Sequence, residues 1–343
     1  MRKGLHASIW GRWALASACA LILWELIARG FITAPRNYIY DPALRFAYIP
    51  GARTLSSGEG FAEIRYNSLG LRGPEPDLDR HPFVVITGDS FTEADSMPDR
   101  ELFTAVAQQN LGQRGRNVQV VNAGRNGDDF FQQLILLDRI FRPHHPDLVV
   151  LQVDEWMLDW IDRPQPFQFR VTEDELLEIE PPQPRSESPW RTRIRRPVYY
   201  SALANLIVLR YFNLVRPDDI RLPMAPTPPQ APFRDLTSKQ DLLRVTLRTL
   251  QKNYPNLAIL YLPKLSYPQL VQTDPNELLF LGTANALGLS VYNPLEALKA
   301  DYVTRRKPHF GFHNSGMGAG HLNQDGHKVV GDFLAKVISE NLK

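Results

Sequence analysis

Two groups in this sequence have the types and surroundings that nucleophilic chemistry needs. Ser90 stands in Gly88-Asp89-Ser90-Phe91-Thr92, directly after the apolar run Phe83-Val84-Val85-Ile86. Such a run reads as a buried parallel strand, and the glycine lets the backbone turn sharply beyond it. A serine there lies outside the carboxyl end of the strand, where open α/β sheets gather ligands. Its other reading is a cap for the following segment. A serine hydroxyl becomes a useful nucleophile only with a base to take its proton and donors for the oxyanion that forms. The best-placed base is His321, in Gly320-His321-Leu322-Asn323-Gln324-Asp325-Gly326-His327, in a loop that opens the last helix. His327, one turn into that helix, reads as structural. His309 and His313 are reserve candidates.

The elements that must position these groups follow from periodicity. Strands are expected at Phe83–Gly88, Val118–Asn122, Leu148–Val153 and Leu257–Leu262, with a short one at Leu289–Tyr292. Between and after them, helices are expected near Asp99–Leu111 (Asp99 as N-cap), Phe130–Phe141, Ser238–Asn253, Asn276–Leu287 and Gln324–Asn341. Buried strands alternating with helices imply right-handed βαβ units and a mostly parallel sheet of about five strands, with helices on both faces. Residues 161–235 interrupt this pattern with proline-rich pieces, an acidic run at 173–180, a basic run at 191–197 and one helical candidate, Tyr199–Leu214. They read as an insertion or cap over the carboxyl edge of the sheet, where catalytic loops collect. Residues 35–81 lack long periodic segments and read as a lead-in that wraps the core. A short strand near Ile64–Tyr66 and a turn through Arg72 are expected there. Arg72 is read as structural, the alternative being that it reaches the site.

The chain of 343 residues carries 39 Lys and Arg against 37 Asp and Glu, a formal charge of +2. That balance lacks the concentrated basic face of a nucleic-acid binder. With one cysteine, Cys19, no internal disulfide can form. Residues 1–12 are basic and free of acids, and Trp13–Trp24 is an unbroken apolar run. A basic start followed by an apolar run is an export signal. The small-residue sites at Ala16–Ala18 and Ala18–Ala20 fall inside the run, so residues 1–34 read as an uncleaved signal anchor. Its N-terminus faces the cytoplasm and the remainder lies on the periplasmic side of the inner membrane. The alternatives are a cleaved signal peptide, which gives a secreted protein, and a buried N-terminal helix. Glu25 and Arg29, four apart, can pair on one helical face.

Together these residues resemble the SGNH/GDSL hydrolase superfamily. Gly88-Asp89-Ser90-Phe91-Thr92 matches its nucleophile block and implies Ser90 as nucleophile. Val121-Asn122-Ala123-Gly124-Arg125-Asn126-Gly127 matches the second block, with Gly127 at the oxyanion-hole glycine. His321-Leu322-Asn323, followed by Gly326-His327, matches the histidine block and points to His321 as base. The lead-in Asn67–Glu75 is similar to members with an N-terminal membrane segment. The resemblance covers about 82–340, without the insertion. It implies a three-layer, flavodoxin-like α/β fold in the domain 82–343; no cofactor is expected, and no His, Cys or acid spacing fits a metal site.

Two features depart from that pattern. After the third strand the family has an Asn-Asp pair, whereas this sequence reads Asp154-Glu155-Trp156-Met157, with Trp156 where the asparagine would stand. The family also places an aspartate two or three residues before the histidine, and here Gly318-Ala319-Gly320 occupy those places. Asp154 or Glu155 is the substitute expected to orient His321, with Asp128 and Asp129 as further options. The resemblance implies a Ser-His esterase acting on acyl esters, foremost O-acetyl esters of envelope or exported carbohydrate. The alternatives are an O-acyltransferase of the same fold and a catalytically impaired carbohydrate-binding or assembly protein. The expected partners are a small-molecule or polysaccharide ester and the membrane. The oligomeric state is not encoded in any motif.

Overall fold

A computed structural model describes residues 3–29, 38–41, 43–56, 58–161, 167–180, 201–204, 207, 238–270 and 276–342. The long helix α1 (Lys3–Ile27) is followed by two antiparallel hairpins. The first pairs β1 (Tyr38–Asp41) with β2 (Arg45–Tyr48), and the second pairs β3 (Arg53–Ser56) with β4 (Ala62–Arg65). The core strands are β5 (Phe83–Gly88), β6 (Gln119–Gly124) and β7 (Leu148–Val153). A hairpin of β8 (Gln168–Val171) and β9 (Leu177–Glu180) comes next. The core resumes with β10 (Leu257–Tyr261) and β11 (Ser290–Tyr292).

The five core strands form one parallel sheet in the order β11-β10-β7-β5-β6. In order of appearance among the core strands this is the flavodoxin-like 2-1-3-4-5 arrangement, which switches direction between β5 and β7. Every residue of β5 and β7 is buried, because helices cover both faces. Alternate residues therefore serve different layers. Phe83 and Val85 join one apolar cluster with Phe130, Leu134, Leu247 and Phe280. Val84 and Ile86 join the other with Phe103, Leu111, Val330 and Leu334.

The covering helices are α2 (Ser90–Glu93), α3 (Phe103–Gln113), α4 (Phe130–Leu136), α5 (Glu155–Trp160), α6 (Lys239–Asn253), α7 (Glu277–Ala286), α8 (Leu295–Arg305) and α9 (Gln324–Asn341). Two of the helix starts expected from the sequence are capped by side chains. Ser238 caps α6 by accepting from Asp241 N–H, and Asn323 caps α9 by accepting from Gly326 N–H. Asp99 is different. It begins a short 3₁₀ turn and caps nothing, α3 starts at Phe103, and the Asp99 carboxylate instead accepts from Arg72 Nε at 2.9 Å. Helix α8, which follows Pro294, has no counterpart in the periodicity reading.

The lead-in packs on the core through aromatic and cationic side chains. Tyr48 and Tyr66 stack with ring centroids 4.1 Å apart, and the Arg125 guanidinium lies 4.5 Å from the Phe46 ring centroid. Arg72 is fully buried and donates to the carbonyls of Glu93, Ala94 and Met97, closing the end of α2. Its role is structural. In the interrupting region, the described hairpin β8–β9 packs against the α4 and α6 side of the sheet: Phe169 stacks on Phe131, and Leu177 N–H donates to Thr249 Oγ1 at 2.7 Å. The rest of the expected cap, including most of Tyr199–Leu214, lies outside the described residues.

Within α1, Ile9–Ile27 is long and apolar enough to cross a membrane, a test that a signal sequence also passes. Glu25 pairs with Arg29 at 2.7 Å and also accepts from Ser201 Oγ, Ala202 N–H and Leu203 N–H. The end of α1 is thereby tied to the described part of the insertion.

His327 is held neutral inside the core. Its Nδ1 accepts from Phe103 N–H at 3.1 Å, and its ring stacks on that of Phe103. Burial pushes its pKa down from 6.5 to about 3. A folded state that refuses a proton the unfolded chain accepts loses stability as pH falls through that interval. Lowering the pH from about 6.5 towards 3 is therefore expected to depress the melting temperature of the wild type more steeply than that of His327→Gln. Thermal unfolding followed by circular dichroism across that range checks it, and parallel curves would remove His327 as the cause.

Candidate active site

Strand β5 delivers Ser90 to the carboxyl edge of the sheet. Asp89, at the N-cap of α2, accepts from Phe91 N–H at 2.9 Å, and its own N–H donates to Gln152 Oε1 at 3.1 Å. Gln152 Oε1 also accepts from Thr92 Oγ1, so the strand end on β7 and the first turn of α2 are fastened together. Ser90 is the first residue of that helix, and its N–H has no intrahelical acceptor. Beneath it, burial and the charge of the neighbouring Asp154 push the Asp89 carboxyl well up; Asp154 is raised too, by burial.

His321 arrives from the far end of the chain. Its Nε2 lies 2.8 Å from Ser90 Oγ, across 231 positions of sequence. Phe91 packs against the imidazole at a centroid distance of 5.1 Å. The other ring nitrogen, Nδ1, lies 2.7 Å from Glu59 Oε2, which also accepts from the His321 N–H at 3.1 Å. A carboxylate in that position fixes the tautomer with the proton on Nδ1, leaving Nε2 free to accept the serine proton. Ser90, His321 and Glu59 thus form one continuous chain of hydrogen bonds.

The acid at His321 is not one of those expected. Asp154 caps α5, accepting from Met157 N–H at 3.0 Å and from Gln152 Nε2 at 3.0 Å. Glu155 pairs with Lys264 at 2.6 Å. Asp129 caps α4, and Asp128 is buried beside Arg125 and Arg45. The end of β7 turns straight into α5, which commits its acids to that helix start and to the neighbouring strand end. Glu59 instead comes from the tip of the β3–β4 hairpin in the lead-in. Gly60 pins that tip to the histidine loop: its N–H donates to Asn314 Oδ1 at 2.8 Å, and Asn314 Nδ2 donates back to its carbonyl at 3.0 Å. Gly320 adopts φ +84° and lies so close to the Glu59 carboxylate that any Cβ there would collide with it. Gly320, in the stretch where the sequence shows no aspartate, leaves the space that the distant glutamate fills. The only local signal for Glu59 was an acid between two glycines, Gly58-Glu59-Gly60.

Gly127 follows β6 in the turn Arg125–Asp128, closed by Asp128 N–H donating to Arg125 O at 3.1 Å. Its φ is +72°, its carbonyl accepts from Arg45, and its N–H meets no acceptor among the described residues. Trp156, at the place of the family's asparagine, is 56 % exposed. His309 is not a base: it is fully buried, with Nε2 2.9 Å from Asp301 and Nδ1 2.9 Å from the Tyr267 hydroxyl. His313 is exposed and lines a cleft of about 350 Å³ beside the Glu59 loop, with Phe61, Met97, Phe312, Met317 and Gln324. Among the described residues no group of three or more His, Cys, Asp or Glu could hold a metal ion.

No family model matches the chain, and no curated protein matches it significantly. Solved structures do. A lipase/acylhydrolase from Enterococcus faecalis is 16 % identical, with a TM-score of 0.40, covering 76 % of this chain and 97 % of its own. The acetyl xylan esterase AlAXEase is 13 % identical at a TM-score of 0.39, covering 75 % and 99 %. TesA is 12 % identical at a TM-score of 0.41, covering 76 % and 99 %.

If Glu59 sets the histidine tautomer, Glu59→Gln is expected to lower kcat by about 10³–10⁴-fold, the scale seen when the acid of a serine triad becomes an amide. Steady-state kinetics with a chromogenic acetyl ester reads this directly. A kcat within about threefold of wild type would show that Glu59 does not orient the base.

Proposed function

We propose that the protein is an SGNH/GDSL-type serine esterase that cleaves acyl esters, foremost O-acetyl groups on envelope or exported carbohydrate. The observation that carries this reading is the hydrogen-bonded chain Ser90–His321–Glu59 at the carboxyl edge of a parallel sheet, where the strand order switches.

The reaction then runs in two halves. Ser90 Oγ attacks the acyl carbonyl and its proton passes to His321 Nε2, while Glu59 stabilises the imidazolium through Nδ1–H. The oxygen that gains negative charge is held by the N–H groups of Ser90 and Gly127. Collapse of the tetrahedral intermediate breaks the bond to the alcohol, which leaves with the proton from His321. Water, deprotonated by His321, attacks the acyl-enzyme; the acid departs and Ser90 regains its proton. A sugar hydroxyl in place of water gives transfer, so an O-acyltransferase uses the same groups. The rival reading, a binding protein that has lost turnover, drew its force from the missing asparagine and the missing acid. Glu59 supplies a carboxylate to the histidine, which favours the enzyme.

In the domain arrangement we propose, α1 anchors residues 1–34 in the inner membrane, residues 35–81 contribute the acid, and 82–343 form the hydrolase domain on the periplasmic side. Fluorophosphonate labelling that is present in wild type and lost in Ser90→Ala is expected, together with acetate release from O-acetylated glycans that falls by about 10⁴-fold or more in Ser90→Ala and His321→Ala. Equal release by wild type and Ser90→Ala would remove the assignment.

A further inference from the structure

Glu93 closes α2, three residues beyond Ser90, and its carboxyl is fully buried. Nothing in the proposed reaction uses it. Burying a carboxylate is costly unless donors surround it, and Glu93 has three. Tyr66 OH donates to Oε1 at 2.8 Å, Tyr48 OH donates to Oε2 at 2.7 Å, and the backbone N–H of Asn126 donates to the same Oε2 at 2.5 Å. Burial pushes its pKa up while these three donors pull it down.

The donors are not equivalent. A phenol hydroxyl can rotate to donate or accept, so the two tyrosines would tolerate either kind of partner. A backbone N–H can only donate. Asn126 is also the first central residue of the turn Arg125–Asp128, and Gly127 is the second. With φ positive at Gly127 and not at Asn126, this is a type II turn. Gly127 N–H belongs to the central peptide unit of the turn, which lies between the unit whose N–H Glu93 grips and the unit whose carbonyl Arg45 grips, so loosening the Glu93 end frees the central unit to rotate. The neighbouring backbone allows no slack: Asn122 Nδ2 donates to Thr92 O at 2.7 Å, and Gly124 lies against the backbone of Thr92 and Glu93.

We propose that Glu93 is a positioning residue for the oxyanion hole: by holding Asn126 N–H from the helix that begins with Ser90, it fixes the separation between the two backbone donors, Ser90 N–H and Gly127 N–H. The inference rests on the esterase reading and adds to it the device that spaces the donors. The carboxylate is one side chain removed from the reacting atoms and touches no substrate. The tyrosines fill its remaining acceptor capacity and join it to the lead-in.

The turn supplies its own test. Proline is favoured at the first central position of a type II turn, so Asn126→Pro keeps the backbone path while deleting the N–H that Glu93 grips. Its kcat is expected to fall about 10²-fold, as for a misplacement on the ångström scale, with KM within about threefold and the melting temperature near that of wild type. Glu93→Asp, which withdraws the acceptor by one methylene, is expected to lose kcat in the same way. Glu93→Gln, which still offers an amide oxygen to Asn126 N–H, is expected to restore kcat to within about fivefold. Folded Asn126→Pro with wild-type kcat overturns the proposal. So does Glu93→Gln as impaired as Glu93→Asp, and, should Asn126→Pro not fold, so does Glu93→Asp with wild-type kcat. The esterase reading fails separately: if wild type shows no turnover or labelling that depends on Ser90, both fall, whereas Ser90-dependent turnover untouched by these variants removes the role of Glu93 alone.

Discussion

The site depends on one hydrogen bond, from the His321 imidazole to the Glu59 carboxylate. An imidazole near a serine is common enough on a folded surface; an imidazole locked in one tautomer, with its free nitrogen turned to the hydroxyl, is not. Glu59 achieves this with a single oxygen, which takes both Nδ1 and the backbone N–H of the same histidine. Ring and main chain are fixed together, so the imidazole cannot swing away from Ser90 without breaking two hydrogen bonds. His321 is about one-third exposed, and its neighbours alone would not immobilise it.

The rest of the molecule can be understood as holding three distant segments at that point. The sheet places Ser90 at the end of a strand buried on both faces. Helix α9 fixes the histidine loop, since its N-cap Asn323 also donates to the carbonyls of Pro308 and Gly311. The lead-in has no large core of its own, so it docks through polar side chains buried against the domain. Arg72 closes the end of α2, Arg125 accounts for the carbonyls of Leu44 and Phe46, and Glu93 receives both tyrosines. Such buried polar groups are poor sources of net stability but strong specifiers of register, because a shifted arrangement leaves charges without partners.

How much of this was legible in the sequence follows from the range of the interactions involved. The core strands and their helices were readable because burial on two faces demands continuous apolar runs such as Phe83–Ile86 and Leu148–Leu151. Ser90 was readable from a local junction, a glycine turn after a buried strand, whereas His321 stood out among the histidines by its match to the family's histidine block. Asp99 was misread for the opposite reason. Its position before a helix is a local cue, yet a buried guanidinium from a turn 27 residues away claims the carboxylate. The orienting acid was illegible outright. Glu59 lies 262 positions from its partner, in a hairpin whose strands are four residues long, and only the glycines on either side of it mark it locally. The nearest cue was Gly320, whose lack of a side chain looks like loss when it is accommodation.

The placement of the acid on a hairpin outside the sheet has a consequence for how this protein can be silenced. A single proteolytic cut between Ser56 and Ala62 would leave every strand of the core sheet and its helices intact, and the serine–imidazole contact with them. Glu59 would then be joined to only one of its two hairpin strands, so a single strand would hold the carboxylate against the ring. The loop that carries the acid is therefore a point at which the contact of carboxylate and imidazole can be loosened while the sheet and its helices stay whole.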